Sequence, residues 1–366
     1  MSPSPVTTSR FRRAAALLGG VSLALIATAC GSSSGTSTPT TSGSVSASTS
    51  SAPATLRLGY LTNLTHAPAL VGLQQGIIAK NLPSNVTLQT STYNAGPAEV
   101  TALLAGSLDA AYMGPNSAIT AYSQGNKAIR IISGATSGGA AFVVAPSITS
   151  ASQLKGRTVA TPQLGNTQDV ALRTWLTKQH VTYPGPDGGS GDVTILPEEN
   201  ATTLASFEAG TIAGAWVPEP WATRMVSEGH GHVLVNEKTL WPKGLFSTTL
   251  LVVSTDFLAA HPSVVNALLK GQLATTAFLN ANPVQAQADA NTQLATLTGK
   301  PLKPAELAAA WSNLTFTNDP IASSILTDLV HAKAAGFKTT NISGIFDLGP
   351  VNQVLHQQGK SALSTS

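Results

Sequence analysis

The chain is 366 residues long, with 20 Lys and Arg against 17 Asp and Glu, only 10% charged residues and a single cysteine. A lone thiol excludes an internal disulfide and a cysteine-rich metal centre. No Lys/Arg patch of the kind nucleic acid requires occurs anywhere, so no nucleic-acid partner is expected.

In chain order, Arg10, Arg12 and Arg13 form a basic start, followed by an apolar, small-residue stretch from Ala14 to Ala29. At about 16 residues this stretch is short for a bilayer span and suits a signal-peptide core. It runs into Ile26-Ala27-Thr28-Ala29-Cys30-Gly31, which looks like a bacterial lipobox. Residues 1–29 are therefore expected to be a signal peptide, with Cys30 lipidated as the new N-terminus. An ordinary secretory signal with an incidental Cys is the alternative, and Sec or twin-arginine export both stay open. Removing the three arginines reduces 20 basic residues to 17, against 17 acidic, so the mature chain is near neutral. Residues 30–54 are almost entirely Ser, Thr, Gly, Ala and Pro, a composition that buries too little apolar surface to order itself. They are expected to tether a body to the outer face of the cell membrane.

From Thr55 onward, strand-like and helix-like segments alternate, which argues for α/β architecture. Leu56–Leu61 reads as a strand, Ala67–Lys80 as a helix with Pro68 in its first turn, and Val86–Tyr93 as a strand. Pro97–Ala105 is a helix stopped by Gly106, and Ala110–Met113 a strand ending at Gly114-Pro115. The order recurs with the strand Thr158–Thr161, a helix near Asp169–Gln179, the strand Val193–Leu196, the helix Ala201–Ala209 and the strand Gly214–Val217. Residues 104–112 (LAGSLDAAY) echo 208–216 (EAGTIAGAW), either because two lobes share one plan or because Ala-rich helix ends look alike. Ala140–Ala145 and Phe246–Ser254 are natural crossover strands between lobes. Helices Pro262–Leu279, Ala305–Trp311 and Ile321–Ala335 are expected to return to the first lobe, and Ile342–Val354 has no clear pattern.

Loops at the carboxyl ends of strands border the ligand crevice of an open α/β sheet. Here they offer Asn63, Thr65 and His66; Asn116 and Ser117; Ser137 and Gly138; Asn166, Thr167 and Gln168; and Trp216, Glu219 and Trp221. These loops are rich in neutral hydrogen-bonding side chains and poor in Lys and Arg. Several open helices, whose N-termini carry unpaired N–H groups and partial positive charge suited to an oxyanion. Thr65, Ser117 and Thr167 are equally suited to be helix caps. His66 is either a ligand donor or a satisfied buried ring. Trp216 and Trp221 either wall the ligand or fill the core. Glu219 either receives an amine or guanidine on the ligand or pairs with Arg224, and Asp169 and Arg173 are spaced to support one helix. There is no GxSxG, HExxH or P-loop and no His cluster at metal-ligand spacing, so no catalytic residue, metal or cofactor is expected.

Five segments in order, LRLGYLTNLTHAPALVGLQQG, NAGPAEVTALLAGSLDAAYMGPNSA, GATSGGAAFVV, LKGRTVATPQLGNTQDVALRTWL and AGTIAGAWVPEPWATRMV, together resemble one family. It is that of the ABC-importer solute-binding proteins for nitrate, taurine and aliphatic sulfonates, itself similar to thiamine-pyrimidine-synthase-like proteins. The resemblance implies a type II periplasmic-binding-protein fold, two lobes joined by crossover strands with a ligand cleft between. Residues 55–145 and 248–360 would form the first lobe, and 146–247 the second. It also implies a monomer that closes on a small anion, sulfonate, taurine or nitrate-like, and delivers it to ABC permease and ATPase subunits. Binding of a thiamine pyrimidine precursor, a pyrimidine-synthase-like enzyme and a surface adhesin are the alternatives. The family pattern places an Asp where this chain has Ala213.

Overall fold

The computed structural model describes residues 53–365, so the basic start, Cys30 and the Ser/Thr/Gly run through residue 52 lie outside the described residues. The first half of the chain supplies β1 (Ala54–Leu61), α1 (Ala67–Gln74), α2 (Ile77–Asn81), β2 (Val86–Tyr93), α3 (Gly96–Leu104), β3 (Ala110–Met113), α4 (Pro115–Gln124), β4 (Ile129–Gly138) and β5 (Ala140–Val144). It continues through β6 (Thr158–Thr161), α5 (Thr167–Lys178), β7 (Thr194–Pro197), α6 (Asn200–Glu208), β8 (Gly214–Pro218), α7 (Trp221–Ser227), β9 (His232–Asn236) and β10 (Ser247–Ser254). The remainder is α8 (Thr255–Ala260), α9 (Pro262–Ala281), α10 (Pro283–Thr298), α11 (Pro304–Ser312), β11 (Leu314–Phe316), α12 (Ala322–Ala334) and α13 (Gly349–Gln357).

The strands form two sheets, one in the order β11-β4-β10-β3-β1-β2 and one in the order β7-β6-β8-β5-β9. Each is built around a parallel triad, β2-β1-β3 or β7-β6-β8, joined to an antiparallel strand, β10 or β5. Successive side chains of a strand point to opposite faces, so a sheet that reads apolar throughout must be covered on both sides. In β3, Ala110 and Tyr112 join one buried cluster while Ala111 and Met113 join another. In β8, Trp216 joins one cluster of the second sheet while Ala215 and Val217 join the other. Each half of the molecule is thus a sheet between two apolar layers.

Three expectations are corrected. The segment expected as one helix over 67–80 is two, α1 and α2, parted at Gly76. The loop expected around Ser137 is the end of β4, where Ser137 pairs with Ser247 of β10 and Thr315 of β11. Ser, Gly and Thr in IRIISGATSG read as loop, but flanking strands take their backbone groups. The change of sheet falls at Gly138–Gly139, before β5, rather than after Ala145, because all of β5 pairs with β8 and β9 in the second sheet. Both glycines there have positive φ, 81° and 78°. A Cβ on Gly138 would meet the Asn313 carbonyl oxygen at 2.6 Å, so the junction needs a residue without one. No described helix is long and apolar enough to cross a membrane.

Candidate functional site

The loops after β1, β3 and β6 meet between the two halves. There they enclose a central cavity of about 20 Å³, room for about one water-sized particle. Asn63, Thr65, His66, Ser117, Asn166, Thr167 and Gln168 line it, together with Leu61, Gly96, Gly114, Pro218 and Thr248. Four helices begin at this wall: α1 after His66, α3 at Gly96, α4 after Gly114 and α5 after Asn166. The first N–H groups of each helix have no acceptor within it, and their partial positive charge adds to that of the others. No Lys or Arg lines the cavity. Any positive potential the helix ends supply there comes without a formal cation, and it is offset in part by Glu99 and Asp169 in the first turns of α3 and α5.

Two glycines allow this convergence. A Cβ on Gly96 would collide with the Ser117 hydroxyl, and one on Gly114 would come within 2.5 Å of the Thr167 Oγ1 from the opposite half. Thr167 Oγ1 is buried and has no hydrogen-bond partner. A buried hydroxyl left unpaired costs on the order of 1–3 kcal/mol, and this one lies beside the starts of four helices. Asn166 is the cap of α5: its Oδ1 accepts from the Asp169 N–H at 2.9 Å and its Nδ2 donates to Gln168 Oε1 at 3.1 Å.

His66 is the satisfied ring. Its Nε2 donates to the Tyr112 carbonyl at 3.1 Å, and its Nδ1 accepts from the Thr65 hydroxyl at 3.1 Å. Burial lowers its pKa to about 3, with the Tyr112 contact opposing. A neutral ring with both nitrogens engaged sets the shape of the wall and donates nothing to a ligand.

Asp169 does more than support its helix. It takes the Thr161 hydroxyl at 3.1 Å, the Gly165 N–H at 2.9 Å and Arg173 Nε at 2.9 Å, which holds the loop before α5 against the sheet.

Four expected residues lie elsewhere. Asn116 is buried behind the wall, its Nδ2 3.5 Å from the Asp328 carbonyl. Ser137 and Gly138 belong to the strand junction, where the Gly138 carbonyl accepts from Thr248 Oγ1 at 2.5 Å. Trp216 is fully buried, stacked on Phe142 at 5.6 Å, and its Nε1 donates to Glu237 Oε2 at 2.7 Å. An aromatic at a strand end reads the same whether it faces core or cleft; here the alternation of β8 turns it inward.

Glu219 and Trp221 are at the interface between halves. The Glu219 carbonyl accepts from the Leu64 N–H at 3.0 Å, and its Oε1 accepts from Asn313 Nδ2 at 2.7 Å. Burial pushes its pKa up, and hydrogen bonds from Thr223 and Asn313 pull it back. Its expected alternative partner, Arg224, instead binds Glu228, with Nε 2.6 Å from Oε1. Trp221 Nε1 donates across the cleft to Asn63 Oδ1 at 2.9 Å. Asn94 Nδ2 likewise crosses to Glu199 Oε1 at 2.7 Å. The halves are closed on one another.

Gly114 and Pro218 reach the wall from the expected strand-end loops without being named as contacts, and the wall residues not anticipated are Leu61, Gly96 and Thr248. Gly96-Pro97 at a helix start was a usable signal; Thr248 is the second residue of β10, far along the chain, and carries none. Among the described residues no group of three or more His, Cys, Asp or Glu side chains is placed to hold a metal.

Comparisons with known proteins agree with this architecture. The chain is similar to the bicarbonate transport ATP-binding protein CmpC of Synechocystis sp., 28% identical over 61% of this chain and 35% of that one. It is similar to the taurine-binding periplasmic protein of Escherichia coli, 26% identical over 59% of this chain and 64% of that one. The match spans less than two thirds of the length of either. The solved alkanesulfonate-binding protein SsuA of Xanthomonas axonopodis pv. citri, bound to MOPS, has a TM-score of 0.63 and 21% identity over 78% of this chain and 93% of that one. That likeness establishes the shared two-sheet fold. The model of the NMT1-like family matches residues 49–295, more than half of the sequence, and the chain belongs to that family.

Proposed function

We propose that the chain is the extracytoplasmic solute-binding subunit of an ABC importer, held to the membrane through lipid on Cys30, and that it captures a small oxyanion by closure of its two halves. The observation that carries the anion reading is the buried, unpartnered Thr167 hydroxyl at the meeting of four helix N-termini. Such a wall offers donors and positive potential with no cation to desolvate, which favours a small anion over a neutral or cationic solute. Closure uses bonds between the halves, Trp221 to Asn63, Asn94 to Glu199 and Asn313 to Glu219, that a ligand bridging the cleft would reinforce. The names of the relatives, which refer to bicarbonate, taurine and alkanesulfonate, point to the same ligand chemistry.

Calorimetric titration with nitrate, bicarbonate, methanesulfonate and taurine tests the reading. Loss of one hydrogen bond to a charged ligand weakens binding by roughly tenfold to a hundredfold, the effect expected of Thr167→Val on whichever anion binds. The thermal midpoint of that variant should stay at or above that of the native chain. Equal affinity in both proteins, or tight binding of a neutral thiamine pyrimidine precursor with no anion bound, would overturn the proposal. Cys30→Ser is expected to release the protein from the membrane fraction, and continued sedimentation with lipid would remove the anchor.

A further inference from the structure

The loop before α5 is held by more than its own half. Helix α12, whose Ile325 packs with β3 and β10 in the first half, also lies against α5 of the second. After α12 the chain runs on as a strap, residues 335–341, and Phe337 on this strap reaches Arg173 of α5. The Phe337 ring centre lies 5.6 Å from the guanidinium carbon, and the Tyr183 ring of the second half lies 5.5 Å from it. The halves come close here at two glycines. A Cβ on Gly165 would stand 3.2 Å from the Phe337 ring, and one on Gly336 would stand 3.1 Å from Pro186.

Arg173 is 2% exposed, and its partners are all in the second half. Its Nε donates to Asp169 Oδ2 at 2.9 Å and its Nη1 to the Pro184 carbonyl at 2.6 Å. A buried ion pair is costly to desolvate, and flat aromatic faces on a guanidinium offset part of that cost. Of the two rings only Phe337 comes from across the cleft, so only its contact is lost when the halves part. At the other end of the pair, Asp169 accepts the Gly165 N–H, and its own N–H is capped by Asn166 Oδ1. Asn166 and Thr167 line the central cavity. The ring, the guanidinium, the carboxylate and the cavity loop therefore form one continuous chain of contacts.

We infer that Phe337 is a positioning residue of the solute site: closure seats its ring on Arg173, and Arg173 through Asp169 then fixes residues 165–167 as the second half's share of the cavity wall. The inference rests on the reading of this chain as a binding protein that closes, and not on the charge of its solute. When the halves part, water reaches the guanidinium, its grip on Asp169 slackens, and the Gly165 bond loosens with it. Capture of the solute and completion of the wall are then one event. Ser117 lines both the central cavity and a neighbouring space of about 380 Å³ bordered by Phe337, so the strap stands beside an approach to the site.

The test compares Phe337→Ala, Phe337→Tyr and Tyr183→Ala with the native chain. Without added solute, amide hydrogen exchange of residues 165–169 should be roughly threefold to tenfold faster in Phe337→Ala and within twofold of native in Phe337→Tyr, which keeps an aromatic face. Small-angle scattering should show Phe337→Ala shifted toward a larger radius of gyration. Tyr183→Ala removes the ring that Arg173 receives from its own half, so it should lower the unfolding midpoint and leave the radius of gyration unchanged. Native exchange in Phe337→Ala, no rescue by Phe337→Tyr, or the same shift in radius from Tyr183→Ala would each overturn the assignment. Titration with nitrate and methanesulfonate adds a second arm. Phe337→Ala should weaken whichever binds by roughly threefold to tenfold, chiefly through faster dissociation, and equal affinity would overturn the assignment too. If neither anion binds, the anion reading falls, and the exchange and scattering comparisons still decide the role of Phe337.

Discussion

The two halves of the molecule repeat one plan, and they differ most where the repeat is closest. Residues 104–112 and 208–216 occupy equivalent places. The Asp109 N–H donates to the Arg57 carbonyl at 2.9 Å, and the Ala213 N–H donates to the Thr158 carbonyl at 2.7 Å. The Asp109 carbonyl receives Ser254 N–H, and the Ala213 carbonyl receives Ala145 N–H, at 2.8 and 2.9 Å. Gly106 and Gly210 both stop their helices at positive φ, 71° and 68°. The backbone is therefore the same, but only the first half carries a carboxylate there. Asp109 accepts Arg57 N at 2.8 Å and Nε at 2.9 Å. The missing Asp in the second half removes this brace from the outer end of the strands, the end away from the central cavity. Tyr112 and Trp216 close the two repeats, the first bonded to Gln272 at 2.6 Å and the second to Glu237 at 2.7 Å. Both aromatics are core residues. The lesson is that the shared frame is set by small residues and backbone bonds, and each half finishes its interior with different polar chemistry.

The largest effect is expected from breaking the second aromatic. Trp216→Ala should destabilise the fold by about 3–5 kcal/mol in urea unfolding, through the cavity left against Phe142 and Trp175 and the partner lost by Glu237. Tyr112→Phe, which keeps the ring and loses one hydrogen bond, should cost only about 1–2 kcal/mol. A similar loss in both would mean that the two aromatics are held alike.

Opposed pH dependences sharpen the contrast. Burial pushes the Glu237 carboxyl up to about 7 from an ordinary 4.5, with bonds from Trp216 and Trp241 pulling back. Between those values the folded chain keeps a proton that the unfolded chain releases, so stability is full below pH 4.5, falls as pH rises through 7, and is level above. His66 in the first half acts in the other sense. Its pKa falls from 6.5 to about 3, so below pH 6.5 the unfolded chain takes up a proton that the folded chain refuses, and stability declines toward pH 3. Glu237→Gln should remove a loss on the order of 2 kcal/mol between pH 5 and 8. His66→Gln should relieve the decline on the acid side. Thermal midpoints across pH measure both, and a profile unchanged by either substitution would show that the group titrates as it does in water.

The smallest effects concern the brace. Asp109→Ala should cost about 1–2 kcal/mol, since the Arg57 side chain is substantially exposed and solvent screens its part of the interaction. Ala213→Asp should change stability by less than about 1 kcal/mol, because Thr158 brings no guanidinium to meet it. A clear gain from Ala213→Asp would show that the backbone N–H alone is sufficient for the brace.

Much of the site was legible because polar turns at strand ends have few uses. Asn63, Thr65, His66, Ser117, Asn166, Thr167 and Gln168 all reach the central cavity from loops identified by their position after a strand. Their roles were less legible than their places. Whether a His ring is spent on its neighbours depends on the Tyr112 carbonyl, 46 residues away. Whether Glu219 meets a ligand or a latch depends on Asn313, 94 residues away. Asn116 and Trp216 sit one residue from cavity-facing or opposite-face positions, and a pleat or a helical turn decides which way each points.

Local sequence by itself determined the alternation of strands and helices, the repeat of one α/β plan and the small, neutral turns that can open helices, because these follow from short-range periodicity and backbone freedom. Tertiary structure alone decided which helix ends converge, that the sheets exchange at Gly138–Gly139, and that Trp221 reaches across to Asn63. Those outcomes depend on contacts between residues tens to hundreds of positions apart, and no local pattern carries such distances.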